Sequence, residues 1–154
     1  MNYQRILVPY DGSKFSKSAL NEAVKIARNG GGTIYLCTVI TAGNVVPPGA
    51  LMGLLRSASK GELRQRLLKS ARAEAEKMLT AQIKHCEKEG VAAQYDIVAN
   101  EDIALDILGI AKKRKADLIV IGSQGLHGIS KIKSLGSVSR KVSEFASCPV
   151  LIVR

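Results

Sequence analysis

With 154 residues and a formal net charge of +10, the chain is the size of one domain and is long enough to bury a core without disulfide or metal staples. Hydrophobic residues make up 46% and charged residues 23%, with no low-complexity tract, so the composition is that of a globular protein and excludes a fibrous or fully disordered one. No run of about 20 apolar residues is present for a membrane span, and Ile6-Leu7-Val8, ended by Pro9, is too short for a signal-peptide core. The expectation is one domain over residues 1–154, in the cytoplasm and without a membrane partner.

The first strand is expected at Ile6-Leu7-Val8, a continuously apolar run of the kind covered on both faces. Asp11-Gly12-Ser13 follows as a turn in which Ser13 can cap a helix. Ala19, Leu20, Ala23, Val24 and Ala27 then recur at helical spacing from Lys14 to Arg28, and Gly30-Gly31-Gly32 ends the segment. Thr33 to Ile40, rich in β-branched residues, reads as a second strand. The stretch from Thr41 to Gly61 has the length of a lid, a binding loop or a mobile segment, and its apolar patch suits packing on a partner subunit or docking on its own domain.

A long helix is expected from Glu62 to Glu89, with Leu63, Leu67, Ala71, Ala75, Met78, Leu79 and Ile83 on its apolar side. Val91 to Val98 reads as a third strand, and its Gln94 and Asp96 place it at a sheet edge. Ile103, Leu105, Ile107, Leu108 and Ile110 mark a helix from Asp102 to Lys113, and Asp117 to Ile121 is the most apolar strand. After Gly122-Ser123-Gln124-Gly125 and a basic loop comes a helix with Val138, Val142 and Phe145 on one face, then a last strand from Pro149 to Val153. Strands alternating with helices predict an α/β fold with a parallel sheet covered on both faces.

Three isolated cysteines, Cys37, Cys86 and Cys148, suit a reducing compartment and form neither a redox pair nor a zinc set. Cys37 reads as a small core residue, and the neighbours His85 and Cys86 point in different directions on a helix. The positive charge gathers at Arg64, Arg66, Lys69 and Arg72, at Lys112 to Lys115, and at Lys131, Lys133, Arg140 and Lys141. The first two clusters read as solvated helix faces. The third surrounds glycines. Aromatic residues are only 4% and no reading motif is present, so nucleic acid is not an expected partner.

Ligands of open parallel sheets bind beyond the carboxyl ends of the strands. Two loops qualify here, Pro9 to Ser13 and the one beginning at Gly122. Gly122 and Gly125 permit close backbone approach to an anion and positive φ, and Gly136-Ser137 opens a helix whose free amides favour negative charge. Each feature is also consistent with tight turns and an ordinary Ser137 cap. Neither a GxxxxGK[ST] nor a GxGxxG pattern is present.

Ile6 to Ser13, Ala116 to Ser123, Gly136-Ser137-Val138-Ser139 and Cys148 to Val153, taken in order, resemble the universal stress protein family in its nucleotide-binding branch. The resemblance implies an open, doubly wound five-stranded sheet of order 3-2-1-4-5, and a homodimer through the last strand. It implies ATP or ADP, with Mg, as ligand. Gly122, Gly125, Gly136 and Ser137 would match the phosphate motif G-x2-G-x9-G-[ST], with Val138 beside it. Asp11 would lie near adenine or ribose, Pro9 and Val39 would line the base pocket, and Ser123 and Gln124 would approach phosphate or metal. One departure stands out: ten residues, Leu126 to Leu135, separate Gly125 from Gly136 where the motif has nine.

These readings lead to a nucleotide-dependent stress-response protein that binds rather than catalyses, with slow hydrolysis at most, since His127 is the one histidine near the phosphate loop. The alternative is a dimeric interaction module of the same fold whose longer loop has lost ATP.

Overall fold

The computed structural model describes residues 1–41, 60–126 and 134–154. The stretch expected to form a long loop therefore lies outside the described residues from 42 to 59, as do His127, Lys131 and Lys133. The elements in chain order are β1 (Arg5–Pro9), α1 (Lys14–Gly30), β2 (Thr33–Ile40), α2 (Lys60–Lys88), β3 (Ala93–Ala99), α3 (Ile103–Arg114), β4 (Leu118–Gly122), α4 (Ser137–Phe145) and β5 (Val150–Val153). All strand pairs are parallel, and the sheet order is β3-β2-β1-β4-β5.

Side chains alternate across each strand, so the sheet supports two cores. Ile6, Val8, Ile34, Leu36, Leu118 and Val120 pack on one face with Ala19, Leu20, Ala23 and Ala27 of α1 and Leu79 and Cys86 of α2. Leu7, Cys37, Ile119 and Ile121 pack on the other with Ala104, Ile107, Ile110 and Ala111 of α3 and Val142 of α4. Continuous apolar runs at β1 and β4 are the consequence, because both faces of these central strands are covered. Cys37 is buried and its thiol is pushed up by burial and the nearby Asp96 charge, so it stays protonated and acts as core filler.

Local chemistry sets the ends of the elements. Ser13 caps α1 by accepting the Ser16 amide at 3.1 Å, and Gly31, at φ 70°, closes it in the left-handed conformation that glycine adopts without strain. Asp102 caps α3 by accepting the Leu105 amide. Two apolar expectations fail at helix surfaces. Leu105 is 56% exposed, and Phe145 is 62% exposed rather than sharing the buried face of Val142. Phe145 is the last residue of α4, and Ala146, one step further, packs against the core in its place.

β3 occupies an edge, and its polar residues are used. The Asp96 carboxylate takes hydrogen bonds from Arg114 Nε at 2.7 Å and Nη2 at 3.0 Å, with Lys113 Nζ at 3.3 Å. The Arg114 guanidinium also covers the Tyr35 ring at 5.1 Å. Burial alone would raise the Asp96 carboxyl, but the hydrogen bonds and charge of Arg114, helped by Lys113, hold it below the usual carboxylate range. The stabilisation is therefore present above the unfolded carboxyl pKa of about 3.9 and is lost as pH falls through the lower folded value. Arg114→Ala is expected to cost about 1–3 kcal/mol at neutral pH. Urea unfolding of parent and variant should show that difference at pH 7 and a smaller one near pH 3; an equal difference at both would show that packing, not charge, holds the pair.

Candidate functional site

The chain leaves β1 toward β2 on one side and β4 toward β5 on the other, so the carboxyl ends of β1 and β4 flank the point where the winding reverses. A cleft of about 510 Å³ opens there. Pro9, Tyr10 and Asp11 form one wall and Cys37, Thr38 and Val39 the next. Ile103 and Ile107 of α3 contribute apolar surface, and Gly122, Gln124, Gly125, Gly136, Ser137 and Val138 form the side nearest α4. Of the residues named from the sequence, Pro9, Asp11, Val39, Gly122, Gln124, Gly125, Gly136, Ser137 and Val138 thus line one cleft, while Ser123 does not.

The first loop is rigidly seated. The Tyr10 amide donates to the Cys37 carbonyl at 2.8 Å and Thr38 Oγ1 donates to the Tyr10 carbonyl at 2.7 Å. Tyr10 is buried, and burial followed by the adjacent Asp11 charge raises its hydroxyl pKa, so it remains neutral. Asp11 stands half-buried on the rim and links the two loops: Oδ1 accepts the Ser13 amide at 2.9 Å and Oδ2 accepts the Leu126 amide at 3.2 Å.

The second loop is closed at its neck by the Ser123 carbonyl. That oxygen accepts the Gly136 amide at 2.8 Å and Ser139 Oγ at 2.9 Å. Gln124 Nε2 adds a bond to the Ser134 carbonyl at 3.2 Å. The ten residues between Gly125 and Gly136 therefore do not separate the two ends of the motif. Ser123 is buried, and its carbonyl makes this neck.

Gly136, not Ser137, is the N-cap of α4, and this N-cap residue makes no side-chain cap bond. No acidic residue lies in the first turn. The helix start, with its amide donors and positive dipole end, stands beside the cleft. Neither Gly122 nor Gly125 has the positive φ anticipated for it. Their reason is crowding. A β-carbon on Gly122 would stand 2.7 Å from the Phe15 backbone carbon, and one on Gly125 would stand 2.9 Å from Asp11 Oδ2.

In the sequence Ile103 and Ile107 served only to mark a helix, and Ser139 had no role of its own. The signal for the isoleucines was their place at the start of the helix after β3, at the same end of the sheet as the loops. For Ser139 it was the position three residues beyond Gly136, one turn into α4.

The two glycines should respond differently to alanine. Gly122→Ala is expected to lower stability by about 1–3 kcal/mol, because backbone on both sides of the clash must move. Gly125→Ala should cost less, since a side-chain carboxylate can swing away. Comparing their thermal or urea transitions checks the assignment, which fails if Gly122→Ala is as stable as the parent.

Residues 2–154 match the model of the universal stress protein family. Universal stress protein YxiE of Bacillus subtilis is 36% identical, over 99% of each chain. The structure of universal stress protein UspA from Lactobacillus plantarum superposes with a TM-score of 0.82 at 24% identity, over 100% of this chain and 99% of that one. A universal stress protein solved in complex with cAMP superposes with a TM-score of 0.60 at 26% identity, covering 100% of this chain and 98% of that one. With the sheet order, the cleft at the β1 and β4 ends and a family match over nearly its whole length, the chain belongs to the universal stress protein family.

Proposed function

We propose that the cleft binds an adenine nucleotide, ATP or ADP, and that occupancy of this site sets the protein's regulatory state in a stress response. The observation that carries the reading is the pairing, across one cleft, of an apolar slot with a helix start whose N-cap is a glycine. Pro9, Val39, Ile103 and Ile107 suit a planar base, and the first amides of α4 suit a phosphate. The relative in complex with cAMP supports the choice of an adenine nucleotide.

Asp11 is placed to receive a ribose hydroxyl or an ion carried by the phosphates. Mg²⁺ commonly binds through one or two carboxylates together with substrate phosphates. That mode suits this cleft, where Asp11 is the carboxylate and the magnesium would arrive with the nucleotide. The proposal is of binding with slow hydrolysis at most.

β5 ends the sheet with Val150, Leu151, Ile152 and Val153, and Leu151 is 39% exposed. An apolar parallel edge invites pairing with a second copy. We propose a homodimer through this strand; sedimentation at micromolar concentration should give twice the chain mass, and a monomer mass would overturn it.

Titration calorimetry with Mg-ATP tests the central reading. The parent should bind, Asp11→Ala should bind about tenfold more weakly through loss of a hydrogen bond to a charged group, and Gly125→Val should lose binding as the added side chain displaces Asp11. Absence of binding by the parent, or undiminished binding by Gly125→Val, would move the function from nucleotide to protein partners.

A further inference from the structure

We infer that Arg140 is a specificity residue that makes the cleft prefer nucleotides with longer phosphate chains, an inference that rests on the nucleotide reading above. Arg140 lies three residues after Ser137, on the same side of α4, and Ser137 lines the cleft. Helical side chains lean toward the N-terminus of their helix. Arg140 does so here: Nη2 reaches back to 3.5 Å from the carbonyl of Leu135, itself a cleft residue.

Its neighbour provides the contrast. Lys141 Nζ is paired at 2.8 Å with Asp102 Oδ2 on α3, where it joins the two helices. Among the described residues Arg140 has no carboxylate partner, and a carbonyl at 3.5 Å in an exposed position is a loose restraint. One of two adjacent cations is thus committed to the fold, while the other is exposed and makes only the long contact to the carbonyl of Leu135, a residue that lines the cleft.

Pro9 and Val39 line the same cleft as Gly125 and the start of α4, so a base held against the first pair would direct its phosphates toward the second. The helix amides accommodate the nearest phosphate. A second and third phosphate extend outward, where the planar guanidinium can form two parallel N–H to O bonds. AMP ends before that contact. Arg140 therefore contributes to ATP and ADP binding and not to AMP binding.

The test is a set of dissociation constants for AMP, ADP and Mg-ATP with the parent, Arg140→Ala, Arg140→Lys and Lys141→Ala. Arg140→Ala should weaken ATP about threefold to tenfold while leaving AMP unchanged, as expected for a partly exposed charge-assisted contact. Arg140→Lys should restore part of the loss, since it keeps the charge without the fork. Lys141→Ala should lower the melting temperature without altering the ATP to AMP ratio. Retention of the parent's ratio by Arg140→Ala overturns the inference, as does an equal loss for AMP, which would mean that Arg140 acts on the helix frame. A parent that binds none of the three instead overturns the nucleotide reading, a distinct result.

Discussion

The seam between β1 and β4 is the constraint on which the site depends, and a carboxylate fastens it at each end. Below, Asp117 Oδ2 and Oδ1 accept the amides of Gln4 and Arg5, each at 2.9 Å, which aligns the starts of the two strands. Above, Asp11 Oδ1 and Oδ2 accept the amides of Ser13 and Leu126. Only one residue pair beyond Ile6 and Leu118 continues the ladder. The ladder is thus short, the Asp11 carboxylate ties the loops beyond it, and the cleft opens beside this tie.

Much of this architecture was legible because both faces of the central strands are buried. Ile6-Leu7-Val8 and Leu118 to Ile121 admit few other interpretations, and Gln94 with Asp96 marked β3 as an edge. Helix periodicity could not show where a packing partner ends: Phe145 shares a face with Val142 by spacing, and Leu105 helps mark its helix, yet both stand largely exposed. Glycine was legible as a site marker but not for its cause. At Gly122 the cause is the backbone of Phe15, a residue more than a hundred positions away, and no local pattern records such an approach. The neck at Ser123 was equally hidden, because a carbonyl is common to every residue type.

The net charge of +10 is less informative than its local bookkeeping. Lys112, Lys113 and Arg114 fill the last turn of α3, where the helix dipole favours cations, and two of them also neutralise Asp96. Arg64 meets Glu101 in an exposed pair of the kind that contributes little. Lys141 joins α4 to α3 through Asp102, whose carboxyl is lowered first by the Lys141 hydrogen bond and then by the Leu105 amide. These pairs assign part of the basic excess to structure, and they explain why a high isoelectric point need not indicate a nucleic-acid partner.

Magnitudes decide how the longer loop between Gly125 and Gly136 should be understood. Lengthening a loop from nine to ten residues adds about 0.1 kcal/mol of closure entropy, since the cost grows only with the logarithm of length. The neck opposes this with two bonds to the Ser123 carbonyl, each worth about 1 kcal/mol net in a buried setting. The position of Gly136 at the start of α4 is thus tied to Ser123 at a gain larger than the cost of one added loop residue. Spacing in the motif matters only insofar as it lets the neck close, and in this chain the neck is closed.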